Sequence, residues 1–447
     1  MPVTSWWCEL AWLGGEAPAS GVVLSAEDGR FTTVETGVLR PPAGATTLRG
    51  LVLPGLANVH SHAFHRALRG RALPAEGTFW TWRTGMYAVA ERLDPDRMLA
   101  LARATYAEMA LAGITCVGEF HYLHHDGDGQ PYADPNAMSA ALATAAAEAG
   151  IRLTLLDTCY LSAGFGEPLA GVQRRFSDGT AGAWAARVDG FHAGESVRLG
   201  AAVHSVRAVP AADAEVVAEW ARSREAPLHV HVSEQPAENA ACEQAYGSTP
   251  TAWLHERGVL GPRTTAVHAT HLTDDDLELL AMTGTRIGLC PTTERDLADG
   301  IGAFGRMRAA GIPLAVGSDS QAVIDLLEET RLVEGYERLR TGIRGHFSAA
   351  ELLTIATASG HAALGWPEAG GLAVGAVADL VAVDLTSVRT SGGADADALA
   401  VALAAATAAD VREVVVSGRT VVREGHHVLL GDVAPMLQAA IEAVVSR

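Results

Sequence analysis

Two of the seventeen histidines stand two apart in GLANVHSHAFHRALRG (residues 55–70), where His60 and His62 close the apolar run LVLPGL. A strand sends alternate side chains to the same face, so two imidazoles at i and i+2 ending a buried strand point into one pocket, the geometry of a metal-ligand pair. The competing structural reading makes one a hydrogen-bonded core histidine and the other a turn cap, and HxH alone does not choose between them. Further on, His231 and Glu234 lie three apart in LHVHVSE, His268 and His271 in VHATH, and Asp319 in VGSDS. His60, His62, His231 and Asp319 make a three-nitrogen, one-carboxylate set suited to a divalent transition metal such as zinc, although iron or manganese fits the same shell. Glu234, just past its strand, can take a proton from an attacking water and return it to a leaving nitrogen. His268 would orient that water or polarise the bond under attack, with His271 on the rim. Taken singly, each has a structural alternative: His231 a satisfied core histidine, Asp319 a helix N-cap, Glu234 a surface loop acid.

These residues need elements that converge. From residue 51 onward, β-branched runs alternate with Ala/Leu/Glu-rich helical stretches. Eight runs read as strands: LVLPGLANVH, ITCVGEFHY, IRLTLLDTCY, VRLGAAVHSV, PLHVHVSE, TTAVHATH, RIGLCPTTE and IPLAVGSDS. Eight βα units close into a (β/α)8, TIM-like barrel, whose active site forms at the C-terminal ends of its strands. Those ends hold His60 and His62, His121 and Tyr122, His204 and Arg207, His231 and Glu234, His268 and His271, and Asp319. Helices are expected between them, among them DPDRMLALARATYAEMALAG, opening on an Asp-Pro start, and TDDDLELLAMTG, opening on Thr273 and three acids. Residues 1–50 and 371–447 carry short strands and Gly-containing turns instead. They are expected to form one small composite β-sandwich beside a barrel of residues 51–370, because two separate caps would bury little area each.

The totals set limits on partners. Lys+Arg 33 against Asp+Glu 52 gives a net charge of -19, which argues against nucleic acid or an anionic membrane, so an anionic substrate must meet a local arginine cluster. The five scattered cysteines form neither a disulfide framework nor a thiolate metal site and suit a reduced, cytoplasmic protein. No basic leader or run of about 20 apolar residues is seen. The loop HHDGDGQPYADPN looks superficially like a calcium loop but has Ala137 where the closing glutamate belongs, so it reads as a solvated loop near the barrel mouth, a candidate lid.

The motifs HSHAFHRAL, FWTWR, LHVHVSEQ, VHATHL, GLCPTTE and VGSDS, in this order, resemble the amidohydrolase superfamily and within it the formimidoylglutamate deiminase family. The resemblance implies one divalent metal, zinc, since the strand-four run AAVHSVRAVP lacks the lysine that usually bridges two metals. It implies hydrolysis of N-formimidoyl-L-glutamate to N-formyl-L-glutamate and ammonia, a step of histidine degradation. Glu234 would carry the proton, His268 assist, and Asp319 both ligate and accept a proton. A small-molecule dicarboxylate is then the partner of His65, Arg83, Tyr122, His204 and Arg207, and a homodimer is expected. Arg83 has the alternative of stacking on Trp80 or Trp82, and Tyr122 of being core. His65 departs from the family, which commonly shows glutamine there. A nucleobase or cyclic-amidine deaminase, which would not need paired arginines, and a non-enzymatic relative remain the rival readings.

Overall fold

The structure, a computed structural model, describes residues 3–71 and 79–445. The runs expected as parallel strands form one eight-stranded parallel sheet: β5 (Leu56–Ser61), β6 (Ile114–His121), β7 (Arg152–Cys159), β8 (Val197–Ser205), β9 (Leu228–Val232), β10 (Thr264–His268), β11 (Arg286–Leu289) and β12 (Leu314–Val316), each hydrogen-bonded to the next in sequence. All but parts of β8 and β11 are buried, as strands sandwiched between a barrel interior and a ring of helices must be. Ser61 bridges to Asp319 in parallel, the Asp319 N–H donates to the His60 carbonyl (2.9 Å) and the His62 N–H to the Asp319 carbonyl (3.2 Å). The barrel is thus closed at the residues expected as metal ligands.

The first expected strand is in fact two. LVLPGLANVH breaks at Gly55, between β4 (Thr46–Pro54) and β5, and β4 belongs to the other sheet. A Cβ at Gly55 would stand 2.3 Å from the Thr115 hydroxyl and 2.8 Å from the Asp379 Cβ, so only glycine lets the chain pass between the two layers there. The boundary expected at residue 50 falls inside β4, and the passage from one sheet to the other lies at Gly55.

The second sheet draws on both termini, as the matching texture of the two ends implied. Its strands are β1 (Thr4–Ala11), β2 (Ala19–Glu27), β3 (Arg30–Glu35), β4, β13 (Leu380–Val383), β14 (Val411–Val416), β15 (Arg419–Arg423) and β16 (His426–His427), in the order β16-β15-β14-β13-β4-β1-β2-β3. Period-two alternation divides its strands between two cores. Leu380 and Ala382 join Trp6, Cys8, Leu24 and Phe31 in a core of the sheet's own, while Val381 and Val383 join the barrel's core. Arg152 of β7 ties the layers together through a buried bidentate pair with Asp379.

Two helices matter for the site. α1 (Phe79–Ala90) crosses the barrel mouth, and α2 (Pro95–Leu111) starts as expected at Asp94, whose carboxylate accepts from the Arg97 N–H at 2.8 Å. The helix of TDDDLELLAMTG also starts as expected, with Thr273 and Asp276 in a reciprocal capping box. No described helix is long and apolar enough to cross a membrane.

Candidate active site

At the C-terminal end of the barrel, His60 and His62 leave β5, His231 leaves β9, His268 closes β10 and Asp319 follows β12. The imidazole Nε2 atoms of His60 and His231 stand 3.1 Å apart, and those of His60 and His62 each lie 3.3 Å from Asp319 Oδ1. Hydrogen bonds behind the rings set their tautomers. His62 Nδ1 meets the Phe120 carbonyl (2.9 Å) and His231 Nδ1 the His204 carbonyl (3.0 Å). A carbonyl cannot donate, so both Nδ1 atoms carry the proton and both Nε2 lone pairs face inward. Burial holds His60 down to about 3 and His231 well below the usual histidine range, so neither is a proton carrier. Inward-facing lone pairs beside a buried carboxylate are what a divalent metal ion requires, and His60, His62 and His231 have atoms within 4.8 Å of one another that could hold one, as do His60, His268 and Asp319.

The backbone is bent to this purpose. Ser233, His268, Ala269, Asp319 and Gln321 all have positive φ (42–67°), a left-handed conformation that costs L-residues roughly 1 kcal/mol or more each. Gly317 lets β12 approach β5, since a Cβ there would meet the His60 nitrogen at 2.7 Å. Behind the cluster runs a buried polar chain that the sequence did not disclose. Asn58 donates to the Ser318 hydroxyl (2.7 Å), Ser318 to Gln321 (2.7 Å), Gln321 to Ser61 (2.9 Å), and Ser61 to Glu119 (2.7 Å), which also accepts from the Ala63 N–H. Every member lies within two residues of a cluster residue, or one strand away, so the chain fixes the His60, His62 and Asp319 backbones.

Above the cluster is an open-mouthed cavity, and its walls include His62, His65, Arg83, Tyr122, His204, Arg207, His231, Glu234, His268 and Asp319. All the expected substrate-side residues therefore share one space. Burial pushes Glu234 up to about 7, moderated by His268. Burial opposes charge on His268, but Glu234 (3.8 Å), Glu294 (3.5 Å) and Asp319 (3.8 Å) outweigh it and raise the imidazole to about 10. His65 shares a hydrogen bond with the Tyr122 hydroxyl (2.9 Å), and burial together with His62 holds it well below the usual histidine range, hence neutral. Arg207 donates through Nε to Glu238 (2.7 Å), whose other oxygen accepts from the Ser233 N–H (2.8 Å). Arg83 donates to the Tyr87 hydroxyl (2.6 Å) and lies over that ring rather than stacking on Trp82, which packs edge-on against His65; the Trp80 side chain lies outside the described residues.

Besides His60, which sits in the cluster, two strand-end histidines do not line the cavity. His121 alternates with Phe120 and Tyr122 and so faces outward, against His124. His271 bonds instead to the Asp299 carbonyl (2.7 Å). Conversely, Tyr87, Tyr160, Phe176 and Leu297 line the cavity without having been singled out. Tyr160 directly follows β7 and the strand-end rule would have found it. Glu294, in GLCPTTE, and Glu238, in the first turn of a helix, stand in no chemical pattern that spacing reveals.

Residues 51–421 match the model of the amidohydrolase family. The chain is 41% identical over 425 residues, 90% of its length and 92% of the relative's, to the formimidoylglutamate deiminase of Pseudomonas aeruginosa. It is 30% identical over 383 residues, 84% of its length and 80% of the relative's, to the 5-methylthioadenosine/S-adenosylhomocysteine deaminase of Nitratidesulfovibrio vulgaris. Among solved structures, an amidohydrolase from Brucella melitensis shares 34% identity and a TM-score of 0.88 over 99% of this chain and 100% of that one. An adenosine deaminase from Xanthomonas campestris with bound zinc, at 23% identity and a TM-score of 0.83 over 98% and 97%, shares the fold. With a barrel closed by its own histidine and aspartate cluster and a family match over most of its length, the chain belongs to the amidohydrolase family.

Proposed function

We propose that the chain hydrolyses N-formimidoyl-L-glutamate to N-formyl-L-glutamate and ammonia, using one zinc ion. The observation that carries the reading is the joining of two arginines, Arg83 and Arg207, to a buried His/Asp cluster across a single cavity in a chain of net charge -19. A dicarboxylate needs such cations and a neutral nucleobase does not. The likeness to the Pseudomonas deiminase points the same way.

His60, His62, His231 and Asp319 would hold the metal, which when bound supplies Lewis-acid polarisation of water and of the amidine. The remaining work falls to side chains. Glu234, raised to about 7 by burial, is poised both to accept the proton of the attacking water and to give it to the amidine nitrogen. His268, kept cationic by its three carboxylates, steadies negative charge developing at the amidine carbon's new oxygen. Asp319, held below the usual carboxylate range by His60, His268 and His62 despite burial, accepts the second proton only late and gives it up to the amino nitrogen, which the tetrahedral carbon then expels as ammonia. The net change is addition of water to the C=N bond and loss of its nitrogen as ammonia. Arg83, Arg207, His204 and Tyr122 bind the two carboxylates, and neutral His65, bonded to Tyr122, takes the place of the family's amide as a hydrogen-bonding wall.

Ammonia release from N-formimidoyl-L-glutamate, run beside guanine, cytosine and a pterin, tests the assignment. Turnover of the first alone is expected. Turnover of a nucleobase with none of the formimidoyl substrate would replace it with the cyclic-amidine reading, and a metal-loaded protein inert toward all would overturn both.

A further inference from the structure

α1 supplies Trp82, Arg83, Met86 and Tyr87 to the cavity wall, yet it is not part of the barrel sheet that holds the His/Asp cluster. Its C-terminal end meets Arg175, in the 3-10 turn Gly171–Phe176. The Arg175 side chain is 1% exposed, and among the described residues it pairs with no carboxylate. Its guanidinium donates instead to three main-chain carbonyls: Ala90, the last residue of α1, Leu93 just beyond it (2.6 Å), and His125 in the loop after β6 (3.0 Å), with the Tyr132 hydroxyl at 3.4 Å. In return its own carbonyl accepts from the N–H groups of His124 and His125, both at 3.0 Å. The next residue, Phe176, lines the cavity, its ring 6.2 Å from Tyr87, 5.1 Å from Tyr122 and 5.4 Å from Tyr160.

A cation buried against carbonyls alone is costly unless every donor is used. The last carbonyls of a helix are where that arrangement is favourable, because they have no partners in the helix and carry the negative end of its dipole. The planar fork of a guanidinium spreads five donors in fixed directions over carbonyls of two segments, where an ammonium offers three from a single point.

We infer that Arg175 is a positioning residue for substrate binding: it pins the C-terminal end of α1 to the loop after β6 and so sets where Arg83 and Tyr87 stand in the cavity. The consequence for turnover rests on the proposed use of Arg83 against a substrate carboxylate; the pinning does not. Arg175→Met and Arg175→Lys, purified with metal, are to be compared with the parent by amide hydrogen exchange and steady-state kinetics. Amides of residues 82–93 are expected to exchange about tenfold faster or more in the Met variant, with β6 and β9 protected as in the parent, and less so in the Lys variant. The KM for N-formimidoyl-L-glutamate should rise roughly tenfold while kcat and metal content stay near parental, the pattern of lost binding rather than lost chemistry. Unchanged exchange in α1 overturns the inference. So does protection lost equally throughout the chain, or failure of both variants to fold, since Arg175 would then serve the core and not the pocket. Should the parent itself not turn over N-formimidoyl-L-glutamate, the functional reading fails, and the exchange result still decides the pinning.

Discussion

Arg207 offers the sharpest test of the pocket, because the structure separates two roles that a simple truncation would merge. Its guanidinium holds Glu238, whose carboxylate is 4% exposed and otherwise bonded to the Ser233 N–H. Arg207→Met therefore strips a substrate carboxylate of its partner and leaves Glu238 as an unpaired buried charge. The first loss is worth roughly 1.5–3 kcal/mol, which at about 1.4 kcal/mol per decade is about a ten- to 150-fold fall in kcat/KM. The second destabilises the fold by roughly 3–5 kcal/mol, a large part of an ordinary domain's stability. Adding Glu238→Gln removes the stranded charge yet keeps an oxygen for the Ser233 N–H. Denaturant unfolding should then show the single variant strongly destabilised and the double variant recovering most of that loss, while ammonia release from N-formimidoyl-L-glutamate stays depressed in both. Assays on N-formimidoyl-4-aminobutyrate and N-formimidoyl-2-aminobutyrate, which each lack one carboxylate, should bring parent and double variant together on one of the two. Recovery of kcat/KM along with stability in the double variant would refute the reasoning, since Arg207 would then be only the anchor of Glu238.

Three further outcomes are expected. Glu234→Gln keeps shape and metal content but loses about 10²- to 10⁴-fold in kcat, measured by ammonia release on metal-quantified protein; near-normal turnover would remove Glu234 from the proton path. Chelation abolishes activity and about one equivalent of zinc restores it, whereas recovery only with iron, or a requirement for two ions, contradicts the single-zinc proposal. The third concerns acid stability. Burial pushes Asp157 up, but bidentate pairing with Arg187 wins and holds it at about 2, so its contribution of roughly 2 kcal/mol is complete above the unfolded value near 3.8 and is lost as pH falls from about 4 toward 2. Asp157→Asn should flatten that limb of the stability curve, and an unchanged acid limb would exclude the pair as its source.

Much of the site could be read from the sequence because its chemistry is attached to periodic structure. A residue ending a parallel strand has its place set by the barrel and its direction by alternation, which is why His60, His62, His231, His268 and Asp319 could be gathered in advance from four separate strands. The break at Gly55 was hidden for a related reason. The second half of β4 and all of β5 are buried, so no change in polarity marks the point where the chain leaves one layer for the other. Glu119 sits inside a strand whose every residue is buried, and only its bonds to Ser61 and Ala63 reveal it as support for the cluster. The aromatic wall of Tyr87, Tyr160 and Phe176 comes partly from helix and turn segments whose approach to one another is fixed by tertiary contacts, Arg175 among them, and no spacing records such contacts.

The continuity of β4 with β5 also bears on the order in which this chain becomes an enzyme. β4 lies between β1, made just before it, and β13, whose Leu380 pairs with Pro54 roughly 330 residues later. While the ribosome is still producing the barrel's later helices, one edge of β4 has no partner, and the strand bearing His60 and His62 emerges directly from that unfinished seam. Asp319, which meets those histidines, is likewise made before β13 exists. The seam is therefore sewn late, and a nascent chain halted before residue 380 would carry an open β4 edge directly ahead of the strand of His60 and His62, a form open to aggregation.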